Sequence, residues 1–329
     1  MHHTKLIMVE GIPGSGKSTT AQWIARMLDS QGIVHKWWYE EEKGHPVYIY
    51  DDYNSMRTVI DELTNGNYPH LIDKALKRWQ AFVKDIQSAP HTIIVDSCLF
   101  GYLTWSLFPY NVPKQMIMNY VKSVEQLILP LNPHIIYFYQ NDLEAALRNI
   151  CARRGGHTED RFVRAATLSP YGTSRGLLAF EGMVMYWRDY RHMTDEMFEG
   201  LACHKLAIDN SEGIWAEYNC SISKFLGINS HEQAAMVPAK LPIWAGTYQT
   251  EQENSPVCSI RMEDGHLIAD GLPHAWPRSP LLPISTNVFH VQSLPLQIEF
   301  IEEEDRIKMH LKGPELLGGP VKGTFTKTS

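Results

Sequence analysis

The chain of 329 residues has no Cys-x-x-Cys pair, and its five cysteines, Cys98, Cys151, Cys203, Cys220 and Cys258, are scattered. That spacing argues against zinc-ribbon and thioredoxin-like motifs and predicts buried free thiols. No apolar run is long enough to cross a bilayer, and the polar start Met1-His2-His3-Thr4-Lys5 does not read as a signal peptide. Cytoplasm is the expected address. Positive charge is also short: 30 Lys and Arg stand against 37 Asp and Glu, a formal charge of −7. An acidic balance argues against wrapping nucleic acid and against lying on an anionic membrane. Internal repeats and low-complexity tracts are missing too. The remaining composition, 44% hydrophobic and 20% charged, is globular. The length suits two domains better than one.

One run stands out against that background. Gly11-Ile12-Pro13-Gly14-Ser15-Gly16-Lys17-Ser18-Thr19 follows the apolar stretch 6–9 directly. It fits the phosphate-loop pattern G-x-x-x-x-G-K-[ST], with a strand expected before it and a helix after it. Gly11, Gly14 and Gly16 let the backbone curl so that successive N–H groups, with those of Ser15 and Thr19, point inward at phosphate. The helix behind adds its positive end. Lys17 is then expected on the β- and γ-phosphates, and the Ser18 hydroxyl on Mg²⁺. ATP and Mg²⁺ are the expected cofactors.

Around this loop the first two-thirds alternates β-rich runs with helical periods, which predicts a parallel sheet flanked by helices. Strands are expected at 6–9, 33–39, 92–95, 134–139 and 205–208. Helices are expected at 71–86, 114–129, about 175–198 and from a Ser211 cap to Gly227, with Asn141 or Asp142 capping another. After Gly227 the text changes. A linker at 229–240 leads into seven short alternating runs at 245–249, 257–262, 266–269, 287–291, 296–301, 306–311 and 323–327. The expected organisation is a nucleotide-binding domain over 1–228 and a small antiparallel β-barrel or sandwich over 241–329.

Three further groups carry chemistry. Asp96 closes an all-apolar strand, where nucleotide-binding proteins place the carboxylate that holds Mg²⁺ or its water; a turn or N-cap aspartate would be spelled the same way. Glu40-Glu41-Glu42 follows the second strand and reaches the same carboxyl edge of the sheet. A carboxylate there can take the proton of an attacking hydroxyl. The spelling leaves open which of the three points inward and which lie on a solvated loop. Arg148, Arg153, Arg154, Arg161 and Arg164 crowd a helix end and the Gly155-Gly156 turn behind it. They read as a flap that neutralises phosphate charge on closing, or in part as cations at a helix C-terminus. Trp37-Trp38-Tyr39, Phe100 and Tyr102 with Trp105, and Tyr186-Trp187 are either core or a platform for a planar acceptor. His45 and His157 read as exposed loop residues.

The phosphate loop with its preceding Val9-Glu10, the strand end Asp96-Ser97 and the stretch 137–154 together resemble the thymidylate kinase and deoxynucleoside kinase branch of P-loop kinases, over about residues 4–228. By that resemblance Asp96 matches the aspartate of an Asp-Arg-Tyr motif. Ser97-Cys98 stands in place of Arg-Tyr, so the phosphate-binding arginine of that motif is missing. Glu40 or Glu41 resembles the glutamate base after the second strand, and Arg148, Arg153 and Arg154 resemble lid arginines. More weakly, Gly246-Thr247-Tyr248 with the run 294–300 resembles the small barrel appended to some penicillin-recognising serine hydrolases, which implies no hydrolase chemistry for this chain.

The expected activity is transfer of the ATP γ-phosphate to a small molecule: a nucleoside, a nucleotide, or another hydroxylated metabolite or antibiotic. The alternative is a regulatory or ligand-binding module that nucleotide switches. The Asn-Lys-x-Asp base-reading signature of GTPases is absent. For the β domain two roles are open, capping the acceptor pocket or building a homodimer by sheet pairing.

Overall fold

Alternation within the first apolar run decides which face each residue meets. In the computed structural model, which describes residues 4–229, 241–250, 257–303 and 306–328, this run becomes β1 (Leu6–Gly11). Leu6 and Met8 join one apolar cluster; Ile7 and Val9 join another on the opposite face. A strand buried on both faces belongs in the middle of a parallel sheet, and β1 lies there.

The elements that follow are α1 (Lys17–Ser30), β2 (His35–Trp38), α2 (Tyr53–Thr64), α3 (Tyr68–Ser88), β3 (Thr92–Asp96), α4 (Leu103–Leu107) and α5 (Lys114–Ile128). Then come β4 (His134–Tyr139), α6 (Leu143–Arg154), α7 (Thr158–Thr167), α8 (Pro170–Ser174), α9 (Ala179–Glu199), β5 (His204–Asp209) and α10 (Trp215–Leu226). The five strands order as β2-β3-β1-β4-β5, all parallel. Residues of α3, α5 and α9 cover the Leu6 face, and residues of α1 and α10 cover the Ile7 face. The register sets Val9 against Asp96. The start of the phosphate loop and the end of β3 therefore emerge side by side at the carboxyl edge, where ligands bind in such sheets.

Local differences from the expected elements have local causes. Asp142 caps α6 by accepting from the Ala145 N–H at 2.9 Å. Ser211 does not cap α10: its N–H and hydroxyl both donate to Asp209, its hydroxyl oxygen accepts from the Asn141 N–H at 2.9 Å, and α10 starts later, at Trp215. The ninth helix begins at Ala179, after Leu178 in extended conformation, rather than near Arg175.

The described residues divide into two units. One takes those up to Glu40 and from Gly44 to Asn229. The other takes Glu41–Lys43 with the described residues from Leu241 onward. The second unit holds α11 (Leu241–Trp244) and eight strands, β6 (Gly246–Gln249), β7 (Cys258–Glu263), β8 (His266–Asp270), β9 (Ser279–Pro283), β10 (Val288–Val291), β11 (Gln297–Glu303), β12 (Arg306–Lys312) and β13 (Gly323–Lys327). They close into an antiparallel barrel in the order β10-β11-β12-β13-β6-β7-β8-β9. Sequence reading missed β9 because Pro280 and Pro283 lie in it, and proline donates nothing to a ladder. Tyr248, Phe289, Phe300 and Phe325 fill the interior, and Trp244 stacks on Phe300 at 5.0 Å. Closure removes the strand edges through which sheet pairing would build a dimer. A homodimer made by this barrel would use its outer face instead. The expected linker at 229–240 lies outside the described residues apart from Asn229. Among the described residues no helix is long and apolar enough to cross a membrane.

Candidate functional site

The phosphate loop turns between β1 and α1 as its glycines allow. Ser15 N–H donates to the Ile12 carbonyl at 3.2 Å, and Thr20 N–H to the Gly16 carbonyl at 3.0 Å. Gly16 has φ +101°, a left-handed conformation in which a side chain is strained. Trp215 of α10 packs so closely that a Cβ on Gly16 would lie 2.3 Å from its ring. From the β5 end, Asn210 Nδ2 donates to the Ser15 carbonyl at 2.8 Å. The loop is thus held by residues far along the chain that its own spelling does not reveal.

Lys17 is buried and its ammonium donates to the Ile12 carbonyl at 2.9 Å, inside the loop. Ser18 Oγ donates to Asp96 Oδ2 at 2.5 Å, and Trp37 Nε1 donates to Asp96 Oδ1 at 3.2 Å. Burial, then the charge of nearby Glu40, push the Asp96 carboxyl well above the ordinary range; the bonds from Ser18 and Trp37 and the charge of Lys17 partly offset this. A buried carboxyl facing a second carboxylate is short of positive charge. Its oxygen and the Ser18 hydroxyl are hard donors of the kind Mg²⁺ takes, one or two from protein and the rest from phosphate and water. The residues therefore fit that ion. No trio of His, Cys, Asp or Glu side chains gathers into a metal site among the described residues.

The three glutamates separate. Glu40 is half-buried and its charge acts on Asp96. Glu41 is exposed, and its carbonyl accepts from Leu317 N–H within the second unit. Glu42 is buried and bridges to Leu316 in the same unit. The arginines separate as well. Arg153 and Arg154 occupy the last turn of α6, ahead of the Gly155-Gly156 turn into α7, which carries Arg161 and Arg164. Arg154 sits over the Phe162 ring at 5.8 Å. Arg148 pairs with Glu144 at 2.8 Å and covers Phe180 at 4.0 Å, so it braces α6 against α9. A nucleotide-binding role for Arg148 would require it to leave both partners.

His45 is not the exposed loop residue its position suggests. It is 1% exposed, stacks on Tyr48 at 4.1 Å, and burial followed by the Lys36 charge depresses it to about 3. Tyr48 stacks in turn on Tyr102 at 4.1 Å. His157 is exposed as expected. Trp105 and Trp187 do come together, their planes within 8° at 6.4 Å.

Sequence reasoning passed over Glu10. It is fully buried, and its carboxylate accepts from three consecutive backbone N–H groups, Cys98 at 2.9 Å, Leu99 at 2.7 Å and Phe100 at 3.0 Å. Burial outweighs these bonds and the Lys17 charge, and lifts the carboxyl from 4.5 to about 7. The consequence for stability has a definite sign. Between pH 4.5 and 7 the folded chain holds a proton there that the unfolded chain releases. This contribution is complete below about pH 4.5 and is lost as pH rises through 7, by about 3 kcal/mol. Urea unfolding between pH 5 and 8 should show stability declining, and Glu10→Gln should flatten the decline. An identical pH slope in the variant contradicts the assignment.

A phosphate-loop sequence between β1 and α1, an acidic strand end on β3 and a five-stranded parallel sheet flanked by helices define a P-loop-type α/β fold, and the chain also carries a closed eight-stranded antiparallel barrel. No known protein family and no curated protein matches the sequence. Among solved structures, the chain is similar to a shikimate kinase from Acinetobacter baumannii in complex with shikimate, at 11% identity and a TM-score of 0.33, over 68% of this chain and 94% of that one. It is also similar to a protein solved as APE1195, at 16% identity and a TM-score of 0.27, over 60% of this chain and 98% of the other.

Proposed function

We propose that the protein is an ATP- and Mg²⁺-dependent phosphotransferase acting on a small molecule. The observation that carries this reading is the convergence of Lys17, the Ser18–Asp96 pair and Glu40 at one sheet edge. Lys17 and the loop amides bind the triphosphate, and Ser18 with Asp96 holds Mg²⁺, which when bound neutralises phosphate charge. Glu40 faces the acceptor. The acceptor oxygen attacks the γ-phosphorus as the bond to the bridging oxygen breaks, its electron pair staying on ADP. With a hydroxyl acceptor, Glu40 takes the released proton. Arg153 and Arg154 approach the transferring group as the α6–α7 flap closes.

The test is ADP release from ATP with and without a pool of nucleosides, nucleotides and hydroxylated antibiotics. Acceptor-dependent release is expected, with the product identified by its mass gain. Glu40→Gln should then lower kcat by roughly 10²–10⁴-fold with ATP binding retained. ATP binding with no acceptor-dependent turnover supports the switch module instead.

A further inference from the structure

After Asp96 the chain leaves the sheet abruptly. Ser97 N–H still donates to the Val9 carbonyl at 3.0 Å, but Ser97 itself takes φ 59°, left-handed for a residue with a side chain. The next three amides curl inward, and Gly101 closes the turn so tightly that a Cβ there would sit 2.6 Å from the Ser97 Cβ. Three successive inward N–H groups form a nest, a concavity that binds anions. Here the anion is the protein's own Glu10 carboxylate. The outer side of the turn is held as well: Thr104 Oγ1 donates to the Leu99 carbonyl at 2.7 Å, and the Tyr190 hydroxyl donates to that of Phe100.

Chain connectivity makes this arrangement more than packing. Glu10 is the last residue before Gly11 opens the phosphate loop, and Cys98 stands two positions beyond Asp96. One side chain thus ties the strand that launches Lys17 and Ser18 to the loop that fixes the carboxyl partner of Ser18. An apolar residue would leave three buried donors without an acceptor, each at about 1–3 kcal/mol. A buried carboxylate is itself costly to desolvate. The fold keeps it where it spans the two halves of the site.

We propose that Glu10 is a positioning residue: by filling the nest of Cys98, Leu99 and Phe100 amides with its carboxylate, it holds Asp96 in register with Ser18 for metal binding. The proposal rests on the reading of Ser18 and Asp96 as the metal side of the site. It is separable from that reading, because the nest is observable without turnover.

Two measurements test it. In Glu10→Ala the nest is left to solvent ions. Sodium formate, which supplies the missing carboxylate, should raise the variant's Tm in a saturable way that sodium chloride at equal ionic strength does not reproduce. The wild type should show no formate-specific gain. In Glu10→Gln, which keeps the volume but offers a single oxygen, affinity for Mn²⁺ in the presence of ADP, read by electron paramagnetic resonance, should fall about tenfold. Affinity for ADP without metal should stay unchanged. If Glu10→Ala does not fold, the Mn²⁺ measurement on Glu10→Gln decides alone. Equal formate responses in variant and wild type overturn the nest. A lower Tm in Glu10→Gln with wild-type Mn²⁺ affinity overturns the positioning role and leaves only a structural one. If the wild type binds no Mn²⁺ with ADP, the functional reading and the positioning role fall together, while the formate measurement still decides the nest.

Discussion

Lys17→Ala should lower phosphoryl transfer by about 10³-fold, ~4 kcal/mol of barrier, in a protein that still folds. The ammonium is buried inside the loop on the Ile12 carbonyl, and under the proposed function it would meet the phosphates from within the loop, where a preorganised charge is worth most as negative charge develops. Its second role is electrostatic support. Lys17 is the cation that lowers both Glu10 and Asp96 against burial. Removing it should therefore raise both carboxyls further and steepen the loss of stability with rising pH. The measurements are ADP release under saturating ATP and urea unfolding at two pH values. Turnover close to wild type would remove the phosphotransferase reading. An unchanged pH slope would show that Lys17 does not compensate these carboxylates.

What was legible in the sequence and what was not follows from the range of the interactions. The phosphate loop is a local device whose conformation is written in nine consecutive residues, and it is formed as its spelling predicts. The five parallel strands are legible because each is a short β-rich run between helical patterns, with the apolar character strongest in β1, β3 and β4. Asp96 is legible as the end of such a run. Glu10 is not, because nothing in the run before Gly11 tells that three amides from the loop after β3 descend on it; its polar type among apolar neighbours was the available signal. Glu40, Glu41 and Glu42 could not be told apart, since a bend between Tyr39 and Gly44 sends adjacent side chains to different environments and groups Glu41–Lys43 with the second unit. His45 looked exposed because turn residues flank it, yet Tyr48 and Trp38 enclose it. β9 was hidden by its prolines. For Glu10 and β9 a partner distant in sequence decided the outcome, whereas for the three glutamates the bend itself did.

The same contrast makes Gly16→Ala the most informative change away from the reacting groups. At φ +101° a methyl group strains the backbone by about 1–3 kcal/mol, and the 2.3 Å approach to the Trp215 ring adds an overpacking cost of about the same size. Part of the two costs is shared, so a net loss of about 3 kcal/mol in stability is expected. ATP affinity should fall with it, because the backbone amides must stay in place to cradle the phosphates. Trp215 also packs on Phe138 at 6.3 Å and on Tyr218 at 5.7 Å, so Trp215→Ala alone should weaken the wall behind the loop. The decisive variant is the double one. Trp215→Ala should relieve the clash in Gly16→Ala but not the backbone strain, so the double variant should be more stable than the sum of the two single losses predicts. Urea unfolding of the four proteins gives that coupling, and ATP titration shows whether binding returns with it. Additive losses would mean that the ring moves aside freely and that the left-handed backbone alone demands glycine at this position.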